Sequence, residues 1–495
     1  MTDTLKELNN TAPFLILIAT AFLLLICEIY FLKNRKNNLN NVISGTGVFL
    51  ALYYNIFLYF KGINESSFMN SIHCDPLGYF LSGIILTGGL ISIFASARYV
   101  NNNNLHAKEF QTFIIFSLSG MVLMVWSGDL LSFLIGLEIT SICLYTLCGI
   151  LSHNKFSREA ALKYFVTGSF SSALFIFGTS LVYGATNSIN YNNIAQNIHG
   201  MNGNFPTLLL AGAGLILAGL VFKISIVPFH MWTPDVYSGT ATPVVAFMSV
   251  TVKTAVTGAL MRILFTAFPE LSTHIVKILS ALAVVTMIFG NLGAMIQKDL
   301  KRLLAYSTIA HGGYILLGLV GISISLQQGN IAENGSSSSV VFYLLVYTFM
   351  NLGAFICVLI FQKNKETVNI SDLKGIAHNH PVLAAVFSLF LLSLAGIPPA
   401  SGFMGKFTLF YSAASAGLFY LVLIGVVNSL LSVYYYLKVI IIMYSGSIDD
   451  TKIFTPDTPQ IFALTVTAAF TLYLGIFPGN FISEINNLII KWFVV

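Results

Sequence analysis

Apolar runs of about 20 residues, the length an α-helix needs to cross a hydrocarbon core about 30 Å thick, recur along almost the whole chain. Fourteen can be marked, near 13–32, 42–60, 76–98, 110–127, 129–151, 159–184, 206–238, 240–267, 273–296, 301–322, 339–361, 381–412, 415–444 and 459–479. Inside lipid the backbone must satisfy its own hydrogen bonds, so runs of this length form helices. The expected fold is all-α: one integral membrane domain over 1–495 with about 14 transmembrane helices. Composition agrees, since 9% of the 495 residues are charged and 56% are hydrophobic, whereas soluble domains are about 25% charged. The polar stretches between runs are short. The longest, 186–204 and 323–338, read as mobile surface loops, and no soluble domain is evident.

Basic residues give an orientation, because they concentrate on the cytoplasmic side. With the N-terminus outside, the inner connections hold Lys33, Arg35, Lys36, Arg98, Lys108, Lys155, Arg158, Lys298, Lys301, Arg302, Lys363, Lys365, Lys374 and Lys452. The outer side holds only Lys6, Lys61, Lys277 and Lys491. Both termini are therefore expected on the outer, periplasmic side, in a bacterial inner membrane. No small-residue cleavage site follows the first run, which reads as a retained helix rather than a signal peptide.

Two runs are too long for straight spans. At 1.5 Å per residue, 206–238 and 381–412 would each extend about 50 Å. Both contain helix breakers: Pro228 and Pro234 in one, Gly396, Pro398 and Pro399 in the other. Broken helices at membrane depth persist only where protein or a wet cavity satisfies the freed groups. These are the seventh and twelfth runs, which cross in opposite directions. That fits two inverted five-helix repeats, helices 4–8 and 9–13, a recurrent transporter arrangement. The corresponding segments are 1–105 for the first three helices, 106–270 and 271–445 for the two halves, and 446–495 for the last helix and tail.

Each break lies near a lysine that should not be there. Lys223, Lys253 and Lys406 sit well inside apolar runs, and Lys163 near the start of one. A charge at the bilayer centre costs roughly 2.5–3.5 kcal/mol on insertion scales. Burial penalises the charged form of an amine and can bring its titration toward neutral pH, so such lysines are candidates for proton transfer. Glu138, near the middle of the fifth run, is the natural counter-ion for one of them. Lys163 lies only a turn or two from the inner end, where a lysine can also reach the interface. His230, inside the first break, and His311, within the tenth run, are candidate relay bases. Asp129 reads as an interfacial or helix-start carboxylate rather than a carrier.

Other chemistries find no support. The five cysteines form no CxxC or Cys/His ligand spacing, so no metal site is expected. There is no GxGxxG fingerprint in a strand–helix context, no GxxxxGK[ST] loop and no CxxCH. No cofactor is expected on this chain. The net charge of +5 is spread over loops and does not suggest nucleic acid. Energy must come from an ion gradient or a partner protein.

Three stretches carry a family resemblance: KISIVPFHMWTPDVYSGTATPVVAFMSVTVKTA from Lys223 to Ala255, QKDLKRLLAYSTIAHGGYILLG, and LAGIPPASGFMGKF. They resemble the antiporter-like membrane subunits of complex I, the proton-pumping NADH-quinone oxidoreductase, over nearly the whole chain. The Thr-Pro-Asp-Val-Tyr run at 233–237 and the early end after the fourteenth run are more similar to the N branch than to L or M. The resemblance implies that Glu138, Lys163, Lys223, Lys253 and Lys406 carry proton transfer. It implies a translocase in which NADH, FMN, iron–sulfur clusters and quinone belong to other subunits, with neighbouring membrane subunits and the lipid bilayer as partners. The alternative is a subunit of an Mrp-type Na+/H+ antiporter or of a membrane-bound hydrogenase, which share the fold and the lysines. A stand-alone transporter would instead need a polar substrate pocket at the breaks.

Overall fold

The structure, a computed structural model, describes residues 2–30, 38–102, 107–328, 336–362, 368–446 and 454–493. The chain opens with α1 (Thr2–Asn10) and α2 (Ala12–Tyr30), bent by 74° at Thr11. Next come α3 (Asn38–Phe60), the hairpin β1 (Glu65–Ser67) and β2 (Ile72–Cys74), and α4 (Pro76–Asn102). The first repeat contains α5 (Ala107–Trp126), α6 (Leu130–Cys148), α7 (Lys155–Thr186), the short α8 (Tyr191–His199), α9 (Thr207–Lys223), α10 (Trp232–Gly239) and α11 (Thr242–Arg262). The second contains α12 (Ser272–Met295), α13 (Leu300–Gln327), α14 (Ser336–Gln362), the single turn α15 (Ile376–Asn379), α16 (Pro381–Ala395), α17 (Ser401–Ser415) and α18 (Phe419–Tyr444). The chain closes with α19 (Thr458–Ile476) and α20 (Gly479–Phe493).

Every expected span carries a helix or a broken helix. Among the described residues, eleven helices are long and apolar enough to cross a membrane, or twelve counting the bent α1–α2 pair. Thr207–Lys223 and Pro381–Ala395 are shorter apolar helices, the first limbs of the two broken runs. Packing follows the repeat. In the first set α5 packs on α6, α6 on α7, α7 on the α9/α10 pair, and α11 returns to α5. In the second set α12 packs on α13, α13 on α14, α14 on the α16/α17 pair, and α18 returns to α12. The same neighbours recur in the same order.

The core lies where the halves meet. All of α11 is buried, as is the apolar window of α14. A helix apolar on every side needs protein or lipid all round. The periphery is apolar as well, with Leu162, Phe165, Val166 and Phe170 exposed along α7, as expected where lipid is the solvent.

Several expectations need correction. The 186–204 stretch is not a simple loop: Asn190 caps α8, whose Tyr191, Ile194 and Ile198 are buried. Apolar residues at three- and four-residue spacing among many asparagines suffice for a surface helix. The hairpin and α20 were not expected either. Their runs are too short or too mixed to read as spans, and they fold against finished helices, β2 on α4 and α5, α20 on α4 and α14. Lys301, counted among inner-loop charges, belongs to the first turn of α13 and is 1% exposed. Of the other inner-side residues, Lys33, Arg35, Lys36, Lys363, Lys365 and Lys452 lie outside the described residues.

The breaks also start earlier than the prolines imply. α9 ends at Lys223, and Ser225 takes a left-handed conformation (φ 63°) before Pro228 is reached. α16 ends at Ala395, capped by Gly396 at φ 86°. The freed groups find protein partners. The Val227 amide donates to Thr286 Oγ1 at 3.1 Å, Thr233 Oγ1 to Ser225 Oγ at 2.7 Å, and the Gly402 amide to Ser393 Oγ at 3.0 Å. The proline rings then keep the helix from re-forming.

Candidate proton path

Of the four lysines expected to carry protons, three are buried: Lys223 (4% exposed), Lys253 (3%) and Lys406 (3%). Each is placed by helix geometry. Lys223 is the last residue of α9 and turns toward α6, donating to Ser141 Oγ at 2.8 Å and to the Tyr145 hydroxyl at 3.3 Å. Its Nζ lies 5.4 Å from the centre of the Tyr145 ring and 5.8 Å from that of Tyr164. Lys253, in the middle of α11, donates to the Thr308 carbonyl at 2.5 Å and sits 5.1 Å from the Tyr347 ring. Lys406, in the second turn of α17, donates back across the break to the Ala395 carbonyl at 2.9 Å and to Ser429 Oγ at 3.0 Å. The Tyr314 ring lies 5.0 Å from it. Among the described residues none of the three forms an ion pair. Hydroxyls, carbonyls and aromatic faces hold these ammoniums, so no contacting carboxylate pins the proton.

His311 joins the second and third of them. It lies one turn after Thr308 on α13, buried, with its ring 5.3 Å from that of Tyr347 and 5.8 Å from that of Tyr314. Its Nδ1 pairs with the Tyr343 hydroxyl and its Nε2 with the Tyr436 hydroxyl at 3.4 Å. Tyr436 pairs in turn with Ser307. The rings beside Lys253 and Lys406 thus both touch one histidine.

Gly312 marks the approach of Lys253 to the first break. A Cβ there would lie 3.2 Å from the Ile224 carbonyl oxygen, 3.0 Å from Ile226 Cδ1 and 3.8 Å from Lys253 Nζ. The residue after Lys223 and the ammonium of Lys253 therefore both lie close to Gly312 on α13. Gly396 has a double function. Its positive φ ends α16, and its missing side chain leaves room for Lys406, whose Cδ would lie 3.0 Å from a Cβ.

The remaining expected residues are placed differently. Glu138 is only partly buried and forms no ion pair among the described residues; its Oε1 is buried without a hydrogen-bond partner. It sits one turn before Ser141 on α6, on the side facing Lys223. Lys163 is not in the buried row. Its side chain is 41% exposed and pairs with Glu159 and Asp235, each at 2.7 Å. His230 is half-buried in the first break, and among the described residues makes no hydrogen bond to any of the four lysines. Asp129 caps α6, accepting from the Ser132 amide at 2.6 Å.

Sequence reading missed the surroundings. Asp235 also accepts from Arg302 at 3.0 Å, and Lys301 Nζ donates to the Thr240 carbonyl at 2.7 Å. At the other end of the bundle Arg262 grips Asp75 through both guanidinium tips, at 2.7 and 2.5 Å, and donates to the Val125 carbonyl. The tyrosines carried no signal in a chain with 22 of them.

Comparison with known proteins supplies the family context. The model described as "NADH:quinone oxidoreductase/Mrp antiporter, TM" matches residues 127–432. "NADH-quinone oxidoreductase subunit N" of Trichlorobacter lovleyi is 40% identical over 420 residues, 84% of each chain. In the structure of respiratory complex I from Thermus thermophilus with bound aureothin, one chain is similar with a TM-score of 0.78 and 31% identity, over 95% of this chain and 98% of that one. A chain of the Mrp complex from Dietzia sp. is similar with a TM-score of 0.83 over 98% and 97%, but at 18% identity, which speaks for the fold alone.

Proposed function

We infer a proton-conducting role for this chain, which belongs to the NADH:quinone oxidoreductase/Mrp antiporter transmembrane family. The observation that carries the reading is the row of buried ammoniums, Lys223, Lys253 and Lys406, with His311 between the second and third and, among the described residues, no carboxylate bound to any of them. A proton reaches Lys223 from the inner side, with Glu138 as the nearby charge that steadies it. It passes by Gly312 to Lys253, then by way of His311 and its tyrosines to Lys406, and leaves on the outer side. Lys163 acts at the inner mouth, and His230 serves the break. Moving one charge against 100 mV requires about 2.3 kcal/mol. NADH oxidation and quinone reduction in other subunits of the complex supply that energy, so the chain works as one membrane subunit of a translocase among neighbouring membrane subunits. It crosses a bacterial inner membrane fourteen times, with both termini on the outer side.

An Mrp-type role is not favoured, because that likeness stands at 18% identity against 40% to a chain named NADH-quinone oxidoreductase subunit N. The test uses the assembled complex in proteoliposomes, with proton uptake and NADH oxidation measured together. Lys223→Ala and Lys406→Ala are expected to lower protons moved per NADH without loss of assembly. Wild-type ratios in both variants would overturn the reading.

A further inference from the structure

The half-helix α10 is held by charges from both repeats. At its start, Asp235 accepts from Lys163 of α7 through Oδ2 at 2.7 Å and from Arg302 of α13 through Oδ1 at 3.0 Å. At its end, the Thr240 carbonyl accepts from Lys301 of α13 at 2.7 Å. These clamps differ in kind. Lys301 is 1% exposed, so breaking its bond would strand a buried ammonium. The side chains of Lys163, Asp235 and Arg302 are each between 36% and 41% exposed. Pairs that exposed are individually weak, too weak to hold the fold together and weak enough to be exchanged.

Both sides of the clamp lead to the buried row. Trp232, at the N-terminal end of α10, stacks on Tyr164 with ring centres 4.6 Å apart and on Phe222 at 5.6 Å. Tyr164 is the neighbour of Lys163 and flanks Lys223; Phe222 precedes Lys223. On the other side, Arg302 begins the helix whose Thr308 carbonyl holds Lys253 and whose His311 lies next. Contacts thus connect Asp235 on one side through Trp232 and Tyr164 to Lys223, and on the other along α13 to Lys253.

We propose that Asp235 is a positioning residue, a single carboxylate shared between Lys163 of the first repeat and Arg302 of the second, which couples the setting of Lys223 to that of Lys253 and His311. This rests on the proton-conducting reading above. When Arg302 retains Asp235, Lys163 keeps only its pair with Glu159 on its own helix.

The test is a charge cycle in the whole complex in proteoliposomes. Asp235→Asn and Arg302→Gln are each expected to lower protons moved per NADH by about twofold or more, with NADH oxidation preserved when the gradient is collapsed by an uncoupler. The double variant should be no worse than either single one, because both remove the same bond. The exchange Asp235→Arg with Arg302→Asp should recover part of the ratio that Asp235→Arg alone loses. Additive losses in the double variant, or wild-type ratios in Asp235→Asn or Arg302→Gln, would overturn the proposal. If Asp235→Asn does not assemble, Arg302→Gln, which keeps the Lys163 pair, decides alone. Lys223→Ala run in parallel separates the two ideas: a loss there with wild-type Asp235→Asn sinks the coupling and leaves the path.

Discussion

Lys406 donates to the carbonyl of Ala395 at 2.9 Å, the residue with which the preceding half-helix ends. The last carbonyls of a helix lack intrahelical partners and carry partial negative charge. A broken helix therefore creates, in mid-membrane, a site for an ammonium that needs no carboxylate. The same relation recurs at the end of α10, where Lys301 meets the Thr240 carbonyl.

Lys406→Gln removes the transferable proton but keeps a donor for the Ala395 carbonyl. Proton pumping by the assembled complex should fall by about tenfold or more. The amount of complex in the membrane, measured on the same preparation, should stay near wild type.

Gly312→Ala adds a methyl group 3.2 Å from the Ile224 oxygen and 3.8 Å from Lys253 Nζ. Alanine suits a helix, and the nearest contact, 3.0 Å to Ile226 Cδ1, is the end of a flexible side chain, so assembly should hold. The crowding falls on the passage from the first break to Lys253. Protons per NADH should drop while uncoupled NADH oxidation is unchanged; a normal ratio would place the passage elsewhere.

Asp75 and Arg262 form a buried two-pronged pair that ties the start of α4 to the end of α11. Removing one partner strands the other charge, at about 3–5 kcal/mol. Asp75→Ala or Arg262→Ala should therefore sharply reduce the chain recovered from membranes. Joint replacement, Asp75→Asn with Arg262→Gln, should be milder than either single charge deletion. Recovery and thermal midpoint in detergent measure both.

The hairpin carries a pH dependence of definite sign. His73 is held below its ordinary value of 6.5, first by burial and next by the Arg262 charge, with Asp75 and Asp129 pulling the other way. Between that lowered value and 6.5 the unfolded segment binds more protons than the folded one. Stability is therefore full above 6.5 and declines as pH falls through that window. Hydrogen exchange over 65–74, corrected for intrinsic rates, should show opening on acidification, and His73→Gln should flatten the response.

Much of the site was legible in the sequence because membrane insertion makes charges conspicuous. Lys223, Lys253 and Lys406 stand out in apolar runs, and the length of 206–238 and 381–412 betrays the breaks. Lys163 reads from the sequence as lying near one end of its run, and its side chain is 41% exposed and paired with Glu159 and Asp235. Lys301 was not legible, because a lysine at a helix start looks the same whether it meets water or a carbonyl from 61 residues away. Asp235 was equally opaque: its partners lie 72 residues before it and 67 after it.

The order of apolar runs, their lengths and the lysines within them follow from the sequence alone, because transfer from water to lipid is a local property of each segment. What surrounds each lysine was decided by tertiary packing. Which tyrosine, hydroxyl or carbonyl faces an ammonium depends on how helices distant in sequence rotate against one another, and no single segment holds that information. The cluster around His311, the buried Oε1 of Glu138 and the carboxylate shared between the repeats exist only once α6, α7, α10, α13, α14 and α18 have met.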